Sequence, residues 1–540
     1  MRLRRPGLGF LVALISVTCH LPALRNRLVW DDAGTIPQKA TLWSALGRSF
    51  WTTGTGTDQY YRPFVTLMMA IDRVIGGGKT WYFHLTNVVL HAVVIFLFYR
   101  ALVLLGRSSP AAALGAFDLG THRLTADSVA YVSGRTDLLA GLGLVLALNG
   151  MLQHVVSSYR CSGRVQVSQP YGRHDWLILG GFAIATGAKE NSLLLPVLVV
   201  LWLAAHRLLR RSWLLVVGLL LVCGIYLACR IMVLGSVFRM ELPEAGDFVV
   251  LSLNSSGYLL AQFVLPVGAL FFWSPGVLAR FTPWLLLGLV VLALPVAFVW
   301  RTDPDWRAKW LLMWGWSVLF LLPFAGVMQF GPVGRFFYVP GMGWVALLVL
   351  AGLRFATSRR RTVVVAGIAV VWFVVMVPSL WWRISWWRDE VTLFSRMTVD
   401  APGYAQGFHN LGTALVRSGD SLGAEAAYRR ALALDSELVS TSLNLGALLL
   451  ARNEPEQAVA IYRAVVQRRP DFAPAYANLG IGLYRLGDKQ GAIEALRQAA
   501  DMDPANLSIA YNLSRLYRLV GEVDSSVVWQ RRVQEWEGEK

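Results

Sequence analysis

Cysteine is scarce in this chain: four residues, Cys19, Cys161, Cys223 and Cys229, in 540. They fall in or between apolar runs at no metal-ligand spacing, which leaves no disulfide framework and no zinc cluster to read. Charge is scarce as well, at 15% against 55% hydrophobic residues, and the mean hydropathy is +0.50. A chain this apolar lies outside ordinary soluble domains and inside polytopic membrane proteins. Acid is the rarer sign, with 33 Asp+Glu against 50 Lys+Arg and a net charge of +17. Residues 401–540 hold 15 Lys+Arg and 16 Asp+Glu, a net of −1, so the first 400 residues carry +18. That excess sits in short stretches between apolar runs, such as Arg2 to Arg5, Arg207 to Arg211 and Arg359 to Arg361. Cytoplasmic loops show this distribution, so the basic balance reports topology and argues against a nucleic-acid partner. No Gly-rich phosphate loop, Ser-His-Asp set or Cys-His cluster stands out.

A helix needs about 20 apolar residues to cross the hydrocarbon core. By that measure the sequence predicts eleven crossings, two of them short, at 8–24, 83–105, 111–123, 138–156, 176–188, 191–206, 212–234, 281–300, 310–330, 337–355 and 362–382. The first is read as an uncleaved anchor, because many spans follow it. Basic clusters then set sidedness in one consistent solution: they face the cytoplasm, while residues 25–82, the 124–137 turn, Lys189/Glu190, 235–280, 331–336 and the C-terminal module face outside. Segment 249–272 is read as re-entrant or interfacial, since a further crossing would invert the basic loops. The outer loop 25–82 is expected to hold one or two helices lying at the membrane surface.

The pairs Asn410-Leu411, Asn444-Leu445, Asn478-Leu479 and Asn512-Leu513 recur every 34 residues. That period predicts four tetratricopeptide repeats. Gly412, Gly446 and Gly480 mark close helix crossings, Ala424, Ala458 and Ala492 the small contact site, Tyr428 and Tyr462 the larger knobs. Pro470 and Pro504 end second helices. The fourth repeat has Ser514, Ser526 and Gln530 at these positions, as a terminal capping repeat should. The fold expected is all-α: a polytopic helical bundle over 1–390, a linker over 391–404 and a tetratricopeptide α-solenoid over 405–540.

Polar groups gathered at the outer membrane boundary suit a lipid-linked substrate, whose tail lies in the bilayer while its head group meets a water-soluble acceptor. Sugar transfer from a polyprenyl phosphate fits this arrangement. The phosphate leaves as a stable anion, so the reaction needs a carboxylate to take the acceptor proton and cations around the leaving group. Asp31 or Asp32 is the candidate base, because ionised groups at a membrane boundary are costly unless used. Lys189, Arg135, Arg335 and His122 are candidates for the phosphate, with Asp127, Glu190 and Arg62 in support.

A set of short motifs occurs in order: Trp30-Asp31-Asp32, Tyr61-Arg62-Pro63, His84-Leu85-Thr86-Asn87-Val88 with Leu90-His91-Ala92, Gly134-Arg135-Thr136-Asp137-Leu138-Leu139, Lys189-Glu190, Arg335-Phe336-Phe337-Tyr338-Val339-Pro340, and Trp387-Arg388-Asp389 through Leu393-Phe394. Followed by tetratricopeptide repeats, this order resembles the transmembrane and tetratricopeptide repeat-containing O-mannosyltransferases, relatives of the protein O-mannosyltransferases. The resemblance implies the GT-C fold and a metal-independent, inverting transfer of a mannose-like sugar from a polyprenyl-phosphate donor to Ser or Thr of an acceptor protein bound through the repeats. No cofactor is implied. It maps the family's first-loop acidic pair onto Asp31 and Asp32, and its His-Pro-x-x-x-Glu segment onto His122 to Asp127, with Arg123 for the Pro and Asp127 for the acid. The family's Glu-Arg becomes Gly334-Arg335, so one expected carboxylate is absent. A bacterial inner membrane with periplasmic repeats is the expected location.

Structural readings stand beside these. Asp31/Asp32 could cap a surface helix, His122 and Asp127 anchor a turn, Lys189 and Glu190 form an interfacial ion pair, Arg62 brace the outer loop, and Arg335 snorkel. His84 and His91, seven residues apart on one helical face, are read as packing or hydrogen bonding between helices rather than as zinc ligands. Two rival functions differ in class. A non-enzymatic scaffold would recruit envelope proteins through the repeats, and a flippase would need polar groups through the bilayer midplane.

Overall fold

The computed structural model describes residues 6–36, 60–106, 108–160, 172–235, 245–264, 286–290, 293, 299, 303–325 and 334–538. Among these every regular element is helical, as expected. The chain divides into two compact units, Met1–Leu393 and Phe394–Lys540.

The first unit contains α1 (Pro6–His20), a single turn α2 (Asp32–Thr35), α3 (Pro63–Gly76), α4 (Thr80–Gly106), α5 (Ser109–Thr121), a short α6 (Ala126–Ala130), α7 (Arg135–Arg160), α8 (Arg173–Thr186) and α9 (Leu195–Ala205). It continues through α10 (Trp213–Leu234), α11 (Ala245–Val264), α12 (Pro304–Ala325), α13 (Tyr338–Phe355) and α14 (Arg359–Ser385), and α15 (Glu390–Asp400) follows. Among the described residues six stretches are long and apolar enough to cross a membrane: Pro6–Arg25, Thr80–Gly106, Val132–Ser158, Trp213–Leu234, Gly334–Phe355 and Arg359–Ser385. They coincide with six of the eleven expected crossings. At 111–123 and 176–188 the helices formed are 13 and 14 residues long, and 191–206 is a 3-10 turn of 5 residues followed by a helix of 11. At about 1.5 Å rise per residue these fall short of the core thickness. The expected span at 310–330 is the 22-residue α12, and most of 281–300 lies outside the described residues. Within 25–82 the described residues hold the single turn α2 and the helix α3, and 37–59 falls outside the description.

Small residues set the closest approach. A Cβ added at Gly143 would meet the carbonyl of Gly181, and one at Gly150 would lie 2.8 Å from the carbonyl of His174. The backbones of α7 and α8 therefore touch, the small-residue packing that association within lipid favours. Buried around these helices is one apolar core running from Val12 to Leu350.

In the second unit, α16 (Ala405–Ser418) through α23 (Val523–Gly538) form four helix pairs: α16/α17 (Ser421–Leu434), α18 (Val439–Ala451)/α19 (Pro455–Arg468), α20 (Ala473–Leu486)/α21 (Lys489–Met502) and α22 (Leu507–Val520)/α23. Each expected contact is present. A Cβ at Gly412 would lie 2.5 Å from the Tyr428 ring, one at Gly446 2.5 Å from the Tyr462 ring, and one at Gly480 2.7 Å from Leu496. Ala424, Ala458 and Ala492 are fully buried. Where the fourth repeat has serines, they replace packing with hydrogen bonds: Ser526 Oγ donates to the Ser514 carbonyl at 2.8 Å, and Ser514 Oγ to the Ser526 carbonyl at 3.2 Å.

Candidate functional site

Segment 122–134 folds back through a 3-10 turn, α6 and a second 3-10 turn, and every residue in it is buried. A buried irregular segment must find partners for its carbonyls. Asn87 of α4 supplies them, its Nδ2 donating to the Tyr131 carbonyl at 3.0 Å and more weakly to those of Val129 and Val132, both at 3.4 Å. Its Oδ1 accepts from Arg135 Nε at 2.9 Å. Gly134 is required for close approach, because a Cβ there would lie 2.6 Å from the Ser128 carbonyl.

Onto this platform the acidic pair docks, and its two members part company. Asp32 is fully buried; its Oδ1 accepts from Ser133 N–H at 2.9 Å and Ser133 Oγ at 2.8 Å, its Oδ2 from Val29 N–H at 3.1 Å. Both oxygens are thus committed to holding the loop at 29–35 against 131–134. Asp31 is partly exposed, and its Oδ2 accepts one hydrogen bond, from the Tyr131 hydroxyl at 3.0 Å. Burial pushes its carboxyl up to about 6 against the pull of Arg335 and the Tyr131 hydroxyl. The same cause pushes Asp32 to about 7 against its three donors. Preceding them, Trp30 has φ +56°. A bulky residue in the left-handed region carries strain that the surroundings must hold, and such strain gathers at functional sites.

Tyr131 is the pivot. Its ring stacks on Trp387 at 4.8 Å and lies 6.2 Å from Trp30. Burial and the neighbouring carboxylates hold its phenol well above its ordinary value, so it donates rather than accepts. Over that ring lies Arg335, its guanidinium carbon 5.4 Å from the Tyr131 centroid and 5.3 Å from that of Phe336. Arg335 makes no hydrogen bond or ion pair with any described residue, and its buried Nε is unpartnered. Lys189 approaches Phe336 from another side, 5.3 Å from the centroid, while paired with Asp137. Burial first, then Arg62 and Arg335 nearby, lower its ammonium to about 8 despite Asp137. Asp31, Arg335 and Lys189 therefore converge around Tyr131 and Phe336.

The remaining expected residues are engaged elsewhere. Arg135 is fully buried, bonded to Asp72 at 2.6 Å and to the Phe83 carbonyl at 2.9 Å in addition to Asn87. His122 has both ring nitrogens occupied, Nδ1 accepting from Leu124 N–H at 3.2 Å and Nε2 facing the Phe263 carbonyl at 3.2 Å. Arg62 pairs with Glu190 at 3.0 Å, and Arg230 reaches the same carboxylate at 3.4 Å. His91 meets the Tyr338 hydroxyl at 2.7 Å, a hydrogen bond between helices.

Asp127 is fully buried and held in a fork by Arg383, Nε at 2.8 Å and an Nη at 2.6 Å, with Trp387 Nε1 at 2.9 Å. The same carboxylate crowds Gly334. A Cβ at 334 would lie 2.6 Å from Asp127 Oδ2, so the carboxylate of Asp127 fills the space a side chain there would need. Gly334→Glu is expected to destabilise the chain by about 1–3 kcal/mol through overpacking, with like-charge repulsion added. A melt in detergent reads this, and an unchanged midpoint would contradict it.

Sequence reasoning assigned no role to Tyr131, Ser133, Asp72, Asp137, Arg383 or Trp387. Asp137 and Trp387 lay inside quoted motifs, and nothing in local spacing marks Tyr131.

The fold and this site define a membrane-spanning helical bundle with a polar cluster, joined to a tetratricopeptide module. Tetratricopeptide-repeat family profiles match residues 409–474 and 473–506. The chain is 24% identical to a protein O-mannosyl-transferase of Caenorhabditis elegans over 80% of its own length and 64% of that protein. It is 24% identical to protein O-mannosyl-transferase TMTC3 of Mus musculus over 94% of its own length and 65% of that protein. The resemblance read from the motifs therefore extends along nearly the whole chain, and the chain is a homologue of the protein O-mannosyl-transferases, spanning somewhat less than two thirds of their length. Among solved structures, MamA 41-end from Desulfovibrio magneticus RS-1 is similar over 28% of this chain and 85% of that one, at 23% identity and a TM-score of 0.27.

Proposed function

We propose that this protein is an integral membrane glycosyltransferase that moves a mannose-like sugar from a polyprenyl-phosphate donor to a Ser or Thr hydroxyl of a protein, with inversion. The observation that carries this reading is the partly exposed Asp31 facing Arg335, a guanidinium with no hydrogen-bond or ion-pair partner among the described residues. Asp31 accepts the proton of the acceptor hydroxyl as its oxygen attacks the anomeric carbon. The bond from that carbon to the phosphate oxygen breaks, and the polyprenyl phosphate departs as an anion. Arg335 and Lys189 stabilise the charge that develops on it. Tyr131 orients the base, and Asp32 holds the loop that carries it. Arg135, His122 and Asp127 build the platform beneath. The outer side of a bacterial inner membrane is the location assigned, with the acceptor recruited by the repeats.

The experiment is the pH profile of radiolabelled sugar transfer from a polyprenyl-phosphate donor in purified membranes. A base at about 6 and a cation at about 8 predict a bell in kcat/KM. Below the lower value Asp31 is protonated and cannot accept; above the upper one Lys189 loses its charge. Activity that stays flat from about pH 5 to 7 would remove Asp31 from the base role.

A further inference from the structure

The first helices of the four repeats, α16, α18, α20 and α22, carry Arg417, Arg485, Arg515 and Arg518 and not one Asp or Glu. Within the repeats and the tail the acid lies on second helices, connections and the C-terminus. This segregation gives the face built by the first helices a positive field although the unit as a whole is near neutral.

Between α20 and α22 that face opens into a cavity of about 440 Å³. Ile481, Tyr484 and Leu519 contribute apolar lining, and Arg485, Arg515 and Asn512 contribute polar lining. Arg485 and Arg515 are exposed, and neither makes a hydrogen bond or ion pair with a described residue. Arg518, by contrast, is bonded to Gln530 at 2.8 Å. Of the lining residues Leu519 is 49% and Ile481 36% exposed, so the apolar lining is open to a partner. Two guanidiniums without carboxylates at the mouth of an apolar groove complement a ligand that brings carboxylates and aliphatic groups together. We propose that the groove between the third and fourth repeats binds an acidic, apolar polypeptide segment, with Arg485 and Arg515 pairing its Asp or Glu side chains. This rests on the repeats taking a protein partner and is independent of the transfer chemistry. A chain that binds such a segment but transfers no sugar keeps this inference and loses the other.

The test uses the full chain in nanodiscs of neutral lipid and two fluorescein-labelled probes, a peptide in which Glu and Leu are interspersed with Ser and the same peptide with Lys for Glu. The acidic probe is expected to bind at least about ten-fold more tightly, with affinity falling as salt is raised. Arg485→Gln/Arg515→Gln is expected to weaken it about ten-fold, while Arg463→Gln, an exposed arginine of the second helix α19, leaves it unchanged. Both variants alter exposed side chains, and an unchanged melt shows that the repeats remain folded. Equal binding of the two probes, or an unaffected double variant, overturns the proposal. So does binding to phosphatidylglycerol vesicles that the double variant abolishes while the acidic peptide neither binds nor competes, which would assign the groove to a lipid surface.

Discussion

Asp31→Asn is expected to lower sugar transfer by about 10²- to 10⁴-fold, the contribution of a positioned general base, while the thermal midpoint in detergent stays where it is. The amide is the same size and still accepts from the Tyr131 hydroxyl, so only proton acceptance is lost. Asp32→Asn separates the two roles. Its carboxylate accepts from Ser133 N–H, Ser133 Oγ and Val29 N–H, and an amide turns one acceptor oxygen into a donor facing a donor. An unsatisfied buried group costs about 1–3 kcal/mol, so activity and melting fall together in that variant. Transfer retained by Asp31→Asn would end the assignment, whatever Asp32→Asn does.

The largest effect on stability is expected at Arg383. Replacing it with Met leaves the Asp127 carboxylate buried with Trp387 as its one remaining described donor. Breaking a buried ion pair from one side costs about 3–5 kcal/mol. Replacing both partners by apolar residues of similar volume is frequently near neutral, so Asp127→Leu/Arg383→Met should recover much of the loss. The recovery stays incomplete because the hydrogen bond from Trp387 Nε1 to Asp127 Oδ1 is lost with the carboxylate, at about 1–3 kcal/mol. Melts of the two single variants and the double variant, compared as a cycle, measure this. A double variant no better than either single one would show that Asp127 and Arg383 do not act as a pair.

How much of this was legible in the sequence depends on the distance over which each feature is written. The repeats are written locally, in a 34-residue period whose glycines, alanines and tyrosines meet as expected. Long spans such as Thr80–Gly106 are local too, since continuous apolar length suffices to call them. Shorter runs at 111–123 and 176–188 also read as crossings, but Thr121 and Thr186 end the helices there, and the chain goes on into 3-10 turns, buried at Arg123–Thr125 and mostly half-buried at Glu190–Leu194. Hydropathy does not encode that difference, because apolar residues continue past the point where each helix stops.

The site was half legible. Two adjacent aspartates beyond a first span are conspicuous, yet which of them is free to react is decided by Ser133 and Tyr131, about a hundred residues away. Arg135 and Arg335 look alike as outer-face cations. The first is occupied by Asp72 and Asn87, the second has no such partner among the described residues, and only the packing of α3 against α4 tells them apart. The crowding at 334 is likewise a tertiary contact, since a Cβ there would lie 2.6 Å from Asp127 Oδ2.

The most direct test is transfer by the purified full chain, reconstituted with a polyprenyl-phosphate mannose donor and a Ser/Thr-bearing acceptor protein, with the anomeric configuration of the product determined. The account predicts labelled acceptor carrying the sugar in the configuration opposite to that of the donor. An unlabelled acceptor, with the repeats still folded and binding protein, would contradict it and leave a membrane scaffold in its place.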